Sequence, residues 1–451
     1  MTEKNDGDSA LKAADKAKTT STSSLRDHDD RIVLNNEVHA RPYERLAAPV
    51  RASYIALLSG VESADEERKC IEDLCQRYNV NRPSTGSNHF TADFGNFRLR
   101  WERHTEFSAY TILHSGAFDA PFDDLPLKRV PEAWLSSLPG EVLIAVHVAI
   151  EPADSEVRDY EALGDLFVPG SLVGSRVSGA AAIAWTDFQI HADGFSRMLV
   201  HDSGLGARQA GRLVQRLLEI ETYRMMALLA LPPARKYTPE LFRLDKQVAE
   251  LSDTLTQEMR LEDEQRLLEG LTRLSAEVER ISAATGFRFG AARAYYDIVR
   301  QRISELREER HEKLQTFGEF MQRRLTPAMQ TCDSVNKRIE GLTARVARVS
   351  DLLQTRVNIA MERQSRDLLE SMNRRAHLQI RLQETVEGLS VVVLSYYLVG
   401  LVNYGLKGLK SSGVSLDVDI LTGIAIVPVV AVVLLGVRRL RRKVTREVEK
   451  T

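Results

Sequence analysis

The sequence has few cysteines. It contains three in 451 residues, too few for the disulfide framework that stabilises a small secreted domain. Cys70 and Cys75 lie five positions apart in a predicted helix, so their side chains point to different faces. We therefore predict packing thiols in a reducing compartment.

Neither sign of charge is in excess, and aromatic residues are scarce. The chain has 61 Lys and Arg residues against 63 Asp and Glu residues, a formal net charge of −2. Domains that bind nucleic acids usually carry a basic excess, so we predict no nucleic-acid partner. Aromatic residues make up only 6% of the chain, which suits long helices better than an all-β fold.

Motifs of known catalytic chemistry are also missing. The sequence has no HExxH, no paired CxxC, no Walker loop, no GxGxxG and no GxSxG. We therefore predict a protein without enzymatic activity, and nothing in the sequence indicates a cofactor.

Long apolar runs are absent until the C-terminal region. The mean hydropathy of −0.25 hides residues 388–406 and 420–437, neither of which contains a charged residue. Each is close to the roughly 20 residues that a helix needs to cross about 30 Å of hydrocarbon. The sequence therefore predicts a transmembrane hairpin of two helices in residues 388–437.

Basic residues flank this predicted hairpin on one side. Arg374, Arg375 and Arg381 precede the first span. The residues that follow the second span include Arg438, Arg439, Arg441, Arg442 and Lys443. The positive-inside rule then predicts a bacterial inner-membrane protein with both termini in the cytoplasm and a basic anchor that contacts anionic lipid. The first 30 residues contain no apolar stretch, so we predict no export of the N-terminal part.

Composition divides the rest of the chain into regions. Residues 1–30 contain no Val, Ile, Phe, Tyr or Trp, which predicts a disordered tail. Residues 31–205 mix strand and helix patterns, which predicts a cytoplasmic α+β domain with a mostly antiparallel sheet. Residues 206–387 repeat apolar positions at spacings of three and four, which predicts a stalk of long coiled-coil-like helices. Residues 438–451 form a basic cytoplasmic tail.

Periodicity also predicts individual elements of the α+β domain. Strands are predicted at 53–58, 97–103, 107–113, 141–150, 172–177, 181–190 and 195–200. A helix over 64–78 is predicted to begin at Ser63, with Glu66 completing a capping box.

Proline and glycine predict where the long helices end. Pro232-Pro233 is predicted to stop a helix that begins at residue 207, and Thr238-Pro239 to start the next one. Thr285-Gly286 is predicted to allow a reversal, and Pro327 to follow the end of a helix over 291–325. A third helix then runs unbroken into the first span. Its heptads fit pairing either within the chain or between chains.

Three short segments place histidine next to charged residues. They contain Glu37, His39 and Arg41; Glu102, His104 and Glu106; and Asp187, His191 and Asp193. On an extended strand, the second set would bring two carboxylates and an imidazole to one face. This arrangement predicts a divalent-metal site or a general acid/base site, and the alternative for each segment is an exposed cross-strand salt bridge.

The first predicted span contains a polar stripe. Tyr396, Gly400 and Asn403 lie four and three residues apart and so share one side of a helix. The stripe fits packing within the hairpin, with Asn403 bonded to the second span and Gly400 permitting close approach. It also fits the lining of a pore or an aromatic residue at the membrane interface.

Several long motifs carry a resemblance to a known family. They are EVHARP at 37–42, WERHTEF at 101–107, WTDFQIHADG at 185–194, RQAGRLVQRLLEIETYRMM at 208–226, FGAARAYY at 289–296 and ETVEGLSVVVLSYYLVG at 384–400. Together they resemble a bacterial family of membrane-anchored proteins known as a domain of unknown function, over about residues 31–443. The resemblance implies a membrane location and no particular chemistry.

The order of the regions also resembles CorA-type magnesium channels. Those channels place an α/β cytoplasmic domain and long helices before two C-terminal spans, and a Gly-Met-Asn motif ends their first span. This chain has Asn403-Tyr404-Gly405-Leu406-Lys407 there, without Met and Asn after the glycine and with a positive charge at Lys407.

These patterns predict a self-associating scaffold or regulatory protein of the inner membrane. Its expected partners are membrane lipid and further copies of the same chain. The alternatives are a CorA-like divalent-cation channel or transporter and a metal-dependent enzyme that uses the His and carboxylate segments.

Overall fold

A computed structural model describes residues 28, 30, 31, 34 and 35 and then 43–60, 62–255, 261–411 and 417–448, without the side chains of 261, 410 and 440–448. Apart from residues 28 and 30, the predicted disordered tail lies outside these ranges. Two compact units divide the chain. The sheet unit lies within Met1–Val248 and Leu274–Arg345, and the helical unit lies within Ala249–Arg273 and Val346–Thr451.

The described part of the sheet unit contains a nine-stranded mixed sheet. The strands are β1 (Val50–Leu58), β2 (His89–Asp93), β3 (Arg98–Arg103), β4 (Ser108–Ser115), β5 (Glu141–Glu151), β6 (Val173–Val177), β7 (Ala182–Thr186), β8 (Ser196–Asp202) and β9 (Glu309–Arg310). Their order is β2-β3-β4-β1-β5-β8-β7-β6-β9. Strands β5 and β8 are parallel, and the other neighbouring pairs are antiparallel. The prediction of a mostly antiparallel sheet is therefore confirmed, and the β5–β8 pair makes the sheet a mixed one.

Eight α-helices of four residues or more lie in the part of the chain from residue 43 onward that the structure describes. They are α1 (Ala64–Tyr78), α2 (Glu132–Leu135), α3 (Tyr160–Gly164), α4 (Ala207–Leu228), α5 (Leu231–Thr254), α6 (Leu261–Leu306), α7 (Phe317–Ser411) and α8 (Val418–Val448). The predicted unbroken helix from Ala328 to Glu387 is confirmed, because α7 contains all of it.

The predicted capping box at the start of α1 is wrong. The Ser63 hydroxyl makes no bond to the helix backbone. It donates instead to the Ser59 carbonyl (2.7 Å) and to Oε1 of Glu67 (2.9 Å). Glu66 is exposed to solvent, and Glu67 is buried. Burial of the neighbouring carboxylate therefore determines which acid Ser63 contacts.

The predicted stop before Pro232-Pro233 is confirmed, since α4 ends at Leu228, but the predicted start of a new helix at Thr238-Pro239 is wrong. Pro232 and Pro233 lie in the first turn of α5, where a missing N–H costs no hydrogen bond. Pro239 lies inside the helix, and the Thr238 hydroxyl donates to the Ala234 carbonyl (2.7 Å) rather than capping a new helix. Packing of the buried Tyr237 and Leu241 outweighs the local preference for a break.

The reversal predicted at Thr285-Gly286 occurs about twenty residues later. Helix α6 continues through this pair, and the buried Thr285 hydroxyl donates to the Ile281 carbonyl (2.7 Å). The chain turns after α6 with Arg307 at φ 48°, and β9 then pairs with β6. Arg307 adopts this left-handed conformation without being glycine, so the sequence carries no signal for a reversal at this position. Pro327 lies inside α7 and ends no helix.

The predicted heptad seams are buried within the chain. In the sheet unit, α5 and α6 are antiparallel, as the ion pairs Arg243–Glu277 and Arg280–Glu240 show (both 2.5 Å). In the helical unit, Leu271 packs in one apolar cluster with Leu353 of α7. The other buried members of that cluster are Val349 and Val357. Up to Val357, therefore, the pairing is intrachain.

Two described helices are long and apolar enough to cross a membrane. They are the C-terminal part of α7 and α8, and only 6% of the most apolar window of each is buried. The predicted spans 388–406 and 420–437 lie within these two helices. By length and composition, both segments could span a bilayer.

Candidate functional site

A cavity of about 260 Å³ lies between α4 and the strands β1, β3 and β4. Across the β3–β4 pair, Arg100 is opposite Thr111 and Glu102 is opposite Ala109. Tyr54 of β1 is opposite Thr111 on the other side of β4. Because side chains alternate along a strand, these five residues share one face of the sheet and line the cavity.

The other face of the same strands forms an apolar core. Leu99 and Trp101 of β3 pack there with Ile112 of β4, and Ile71 and Leu74 of α1 cover them. All five side chains are fully buried. The alternation of charged and large apolar residues from Arg98 to Glu102 thus separates a polar cavity from an apolar core.

A glycine allows the N-terminal segment to close one side of the cavity. A Cβ atom at Gly211 of α4 would lie 1.7 Å from the Glu44 carbonyl oxygen. The Leu46 N–H donates to the Ala207 carbonyl (3.0 Å) and fixes the segment on the helix. Glu44 and Leu46 therefore become part of the cavity wall.

We expect Gly211→Ala to lower the free energy of unfolding by about 1–3 kcal/mol, the usual cost of overpacking. The added methyl group would push the backbone at Glu44 away from α4. Gly286→Ala is the matched control, since a Cβ there meets no described atom within 4 Å. In a helix interior this change is expected to stabilise by up to about 1 kcal/mol. Denaturant unfolding followed by tryptophan fluorescence measures both, and equal effects of the two changes would contradict the close approach.

Ion pairs dominate the polar part of the cavity wall. Nη2 of Arg100 lies 2.7 Å from Oε1 of Glu102, and both side chains are largely buried. Arg302 of α6 pairs with Glu219 of α4 at the opposite wall. Glu44 pairs with Arg98 (3.3 Å). Glu305 also pairs with Arg302 (2.9 Å), and Arg216 in turn pairs with Glu305 (3.1 Å). With these partners included, the charges around the cavity are balanced.

Neutral polar groups complete the wall. The Tyr54 and Thr222 hydroxyls are hydrogen-bonded at 2.9 Å. Nε2 of Gln215 donates to Oε1 of Glu219 (2.8 Å). Oε1 of Gln215 is buried and has no hydrogen-bond partner among the residues that the structure describes. A buried acceptor without a donor costs free energy, so this oxygen favours a ligand that can donate.

The structure separates the predicted set Glu102, His104 and Glu106. Strand β3 ends at Arg103, and the His104 N–H donates to the Phe107 carbonyl (2.8 Å) across a tight turn. Glu102 and His104 line the cavity. Glu106 instead accepts a bond from the Tyr295 hydroxyl (2.9 Å) and pairs with Arg288 (2.7 Å). The expectation of one extended strand through residue 106 is wrong because the chain turns after β3.

Asp187 and His191 form a pair at a distance from the cavity. Nε2 of His191 lies 2.9 Å from Oδ2 of the fully buried Asp187. The same carboxylate accepts the Val168 N–H (2.9 Å) and the Gln189 N–H (3.0 Å). It therefore anchors the loop after β7, which ends at Thr186, four residues before the predicted end of this strand.

Sequence reasoning missed a buried Ser–His contact. Oγ of Ser53 lies 3.0 Å from Nδ1 of His147, and Nε2 of His147 lies 4.0 Å from Oδ2 of Asp193. This resembles the order of a nucleophilic triad, but Ser53 is fully buried and its oxygen accepts the Leu127 N–H (3.3 Å). Burial lowers the pKa of His147 to about 4, so the imidazole is neutral at physiological pH. The two residues are 94 positions apart, and no local motif connects them.

The structure describes only some of the predicted His and carboxylate residues. Glu37, His39 and Arg41 lie outside the described residues. Within the described ranges, no group of three His, Cys, Asp or Glu side chains is arranged to hold a metal ion.

The three residues of the membrane stripe differ in exposure. Tyr396 is 77% exposed, and a Cβ at Gly400 would meet no described atom within 4 Å. Gly400 therefore permits no close approach of α8, contrary to expectation. Oδ1 of Asn403 is buried without a described hydrogen-bond partner, so the expected bond from the second span does not reach this oxygen. Of the basic anchor, Arg438 and Arg439 are exposed, whereas the side chains of Arg441, Arg442 and Lys443 lie outside the description.

Comparison with protein families gives one match. The profile of a family described as a protein of unknown function, DUF3422, matches residues 26–444. The chain belongs to the DUF3422 family. This confirms the resemblance that the long motifs predicted.

The comparisons add no chemistry to this DUF3422 chain. No curated protein matches it, and nothing in the comparisons supports the looser likeness to CorA-type channels. Function therefore has to be argued from the DUF3422 structure itself.

Proposed function

We propose that this DUF3422 protein is a bacterial inner-membrane scaffold that self-associates through one face of α7 and holds its sheet unit in the cytoplasm. The observation that carries the proposal is the exposure of every side chain from 361 to 386 in α7, although this segment has an apolar stripe.

The membrane assignment rests on α7 and α8. Both contain an uncharged segment of spanning length whose side chains find almost no cover in the protein. Lipid is the solvent that such surfaces require. The basic residues that precede the first span and follow the second support cytoplasmic termini by the positive-inside rule.

The segment of α7 before the first span lies beyond the intrachain packing. Other helices of the helical unit cover the apolar seam of α7 only as far as Val357. Residues 358–387 continue as a helix for about 45 Å at 1.5 Å per residue. An isolated amphipathic helix of this length in water favours a partner for its apolar side.

Most of the large apolar side chains of the exposed segment lie on one side. At about 100° per residue, five of the eight fall within about 80° of one another: Met361, Leu368, Met372, Leu382 and Val386. Leu369 and Ile380 lie on one flank of this stripe, and Leu378 lies on the other. The opposite side carries only polar residues: Arg366, Glu370, Asn373, His377, Arg381 and Glu384.

The same stripe continues into the first span. Leu389, Val393, Tyr396 and Gly400 follow Val386 at spacings of three and four, on the side where Tyr396 is exposed and Gly400 is open. Two copies inserted in one bilayer are parallel and at the same depth, so identical stripes meet in register. A second copy is therefore the partner that fits. Arg375 and Gln379 interrupt the stripe, and polar residues in such a seam favour one register at a cost in stability.

Cysteine cross-linking in native membranes tests this interface. We expect Met372→Cys to give disulfide-linked dimers on mild oxidation and Asn373→Cys to give few. The two positions are adjacent and both side chains are exposed, but they lie about 100° apart around the helix. Cys70→Ser is used as the background. The other two thiols are buried, and burial raises the pKa of Cys75 to about 11 and that of Cys332 above its usual value, which keeps them unreactive.

Equal cross-linking at positions 372 and 373, or none at either, would contradict the proposed face. The native mass of the full-length protein in mild detergent gives a second measure of the same prediction. Two or more copies are expected, and a strict monomer would count against self-association.

A further inference from the structure

We propose that the cavity between α4 and the sheet binds a small zwitterion of the amino-acid type, with one ammonium and one carboxylate group. This site lies in the sheet unit, and the proposal does not depend on self-association.

The balance of charge around the cavity determines the net charge of the ligand. Arg100 is paired with Glu102, Arg302 with Glu219, and Arg98 with Glu44. A ligand with a net charge would leave an uncompensated charge in a largely buried site, which is costly. A ligand that carries one charge of each sign adds none and still gains charge-assisted hydrogen bonds at both walls.

The two walls of the cavity suit the two charged groups of the ligand. On the helix wall, Glu219 and the unpartnered Oε1 of Gln215 are acceptors, and the Gln215 amide nitrogen is 2.8 Å from Glu219. An ammonium group supplies the donor that the Gln215 oxygen lacks. On the sheet wall, the largely buried guanidinium of Arg100 is the donor that suits a carboxylate.

Apolar side chains that also line the cavity determine the rest of the ligand. Leu113, Val214 and Leu218 are buried and line the cavity together with Phe107. At about 260 Å³ the space exceeds that of a few water molecules, each of which occupies about 30 Å³ in the liquid. An apolar side chain joined to the zwitterionic group fills such a lining better than water.

Isothermal titration of the full chain in detergent tests the proposal, with each of the common free L-amino acids as the probe. We expect saturable binding of at least one. Its N-acetyl derivative lacks the ammonium charge and its methyl ester lacks the carboxylate charge. Each derivative is expected to bind at least tenfold more weakly. If none of the amino acids binds, the proposal is overturned.

Two variants place the binding in this cavity. Ala109→Leu fills the space, and Gln215→Leu removes the acceptor while keeping a similar size. Both are expected to abolish binding. The exposed residues Ala192 and Gln189 provide matched controls, and Ala192→Leu and Gln189→Leu are expected to bind as the wild type does. Should Ala109→Leu fail to fold, Gln215→Leu still decides. It removes an unpaired buried acceptor together with one bond to Glu219, which keeps Arg302 as its partner, so the variant is expected to fold. Unchanged affinity in a folded Gln215→Leu or Ala109→Leu protein would place the binding elsewhere and refute the site.

Discussion

Replacing Glu67 by alanine is expected to lower the free energy of unfolding by about 3–5 kcal/mol, the cost of removing one partner of a buried ion pair. Glu67 is fully buried. Its carboxylate accepts bonds from the hydroxyls of Ser63 (2.9 Å) and Ser108 and lies 3.4 Å from Nε of Arg103. The change leaves the guanidinium and two hydroxyls without this acceptor in the interior.

Glu66→Ala is the matched control for this prediction. Glu66 is the exposed neighbour that the sequence pattern favours as a capping residue, and its replacement is expected to change the free energy of unfolding by less than about 0.5 kcal/mol. Trp101, Trp134 and Trp185 all lie in the sheet unit, so tryptophan fluorescence during denaturant unfolding measures this unit in both variants. A larger effect at Glu66 than at Glu67 would show that the capping box forms after all.

Lowering the pH from 7 to 4 is expected to remove about 3 kcal/mol of stability through His147 alone. Burial is the main cause that lowers the pKa of this imidazole to about 4, against about 6.5 in an unfolded chain. Arg197 and Lys128 lower the pKa further, and Asp193 opposes them. As the pH falls through 6.5, His147 binds a proton in the unfolded chain but not in the folded one. The free energy of unfolding therefore declines between pH 6.5 and pH 4.

His147→Asn isolates this contribution from the carboxylates that also titrate in acid. Asparagine keeps a polar group near Ser53 but has no proton to gain in this range. The difference in the free energy of unfolding between pH 7 and pH 4 is expected to be about 3 kcal/mol smaller in the variant than in the wild type. Identical pH profiles for the two proteins would mean that His147 takes up its proton at the same pH in the folded and the unfolded chain.

The two proposals describe complementary parts of one protein. Taken together, they propose a membrane scaffold that responds to a small molecule. Binding to the cavity and association through α7 are tested by separate experiments on separate residues, so each proposal stands or fails without the other.

Several features of the site could not be predicted from the sequence. The pattern at Glu102, His104 and Glu106 was recognised, but the turn after Arg103 sends Glu106 to Arg288, 182 positions along the chain. The cavity needs Arg100, Glu219 and Arg302 to meet, and the close approach at Gly211 depends on the Glu44 carbonyl. Each of these contacts joins residues that are distant in sequence, so no local pattern contains them.

Sequence alone determined the features that depend on composition and local periodicity: the two apolar segments, the unbroken helix that leads into the first of them, and most strands of the mixed sheet. These features follow from side-chain alternation and helical spacing, which are properties of the local sequence and do not depend on tertiary contacts. Only the tertiary structure decided which helix breaks occur, which seam residues are covered by the chain itself, and which polar residues surround the cavity. At Pro239 and Thr285, burial against other elements outweighed a local preference for a break, because tertiary packing contributes more free energy than propensity does.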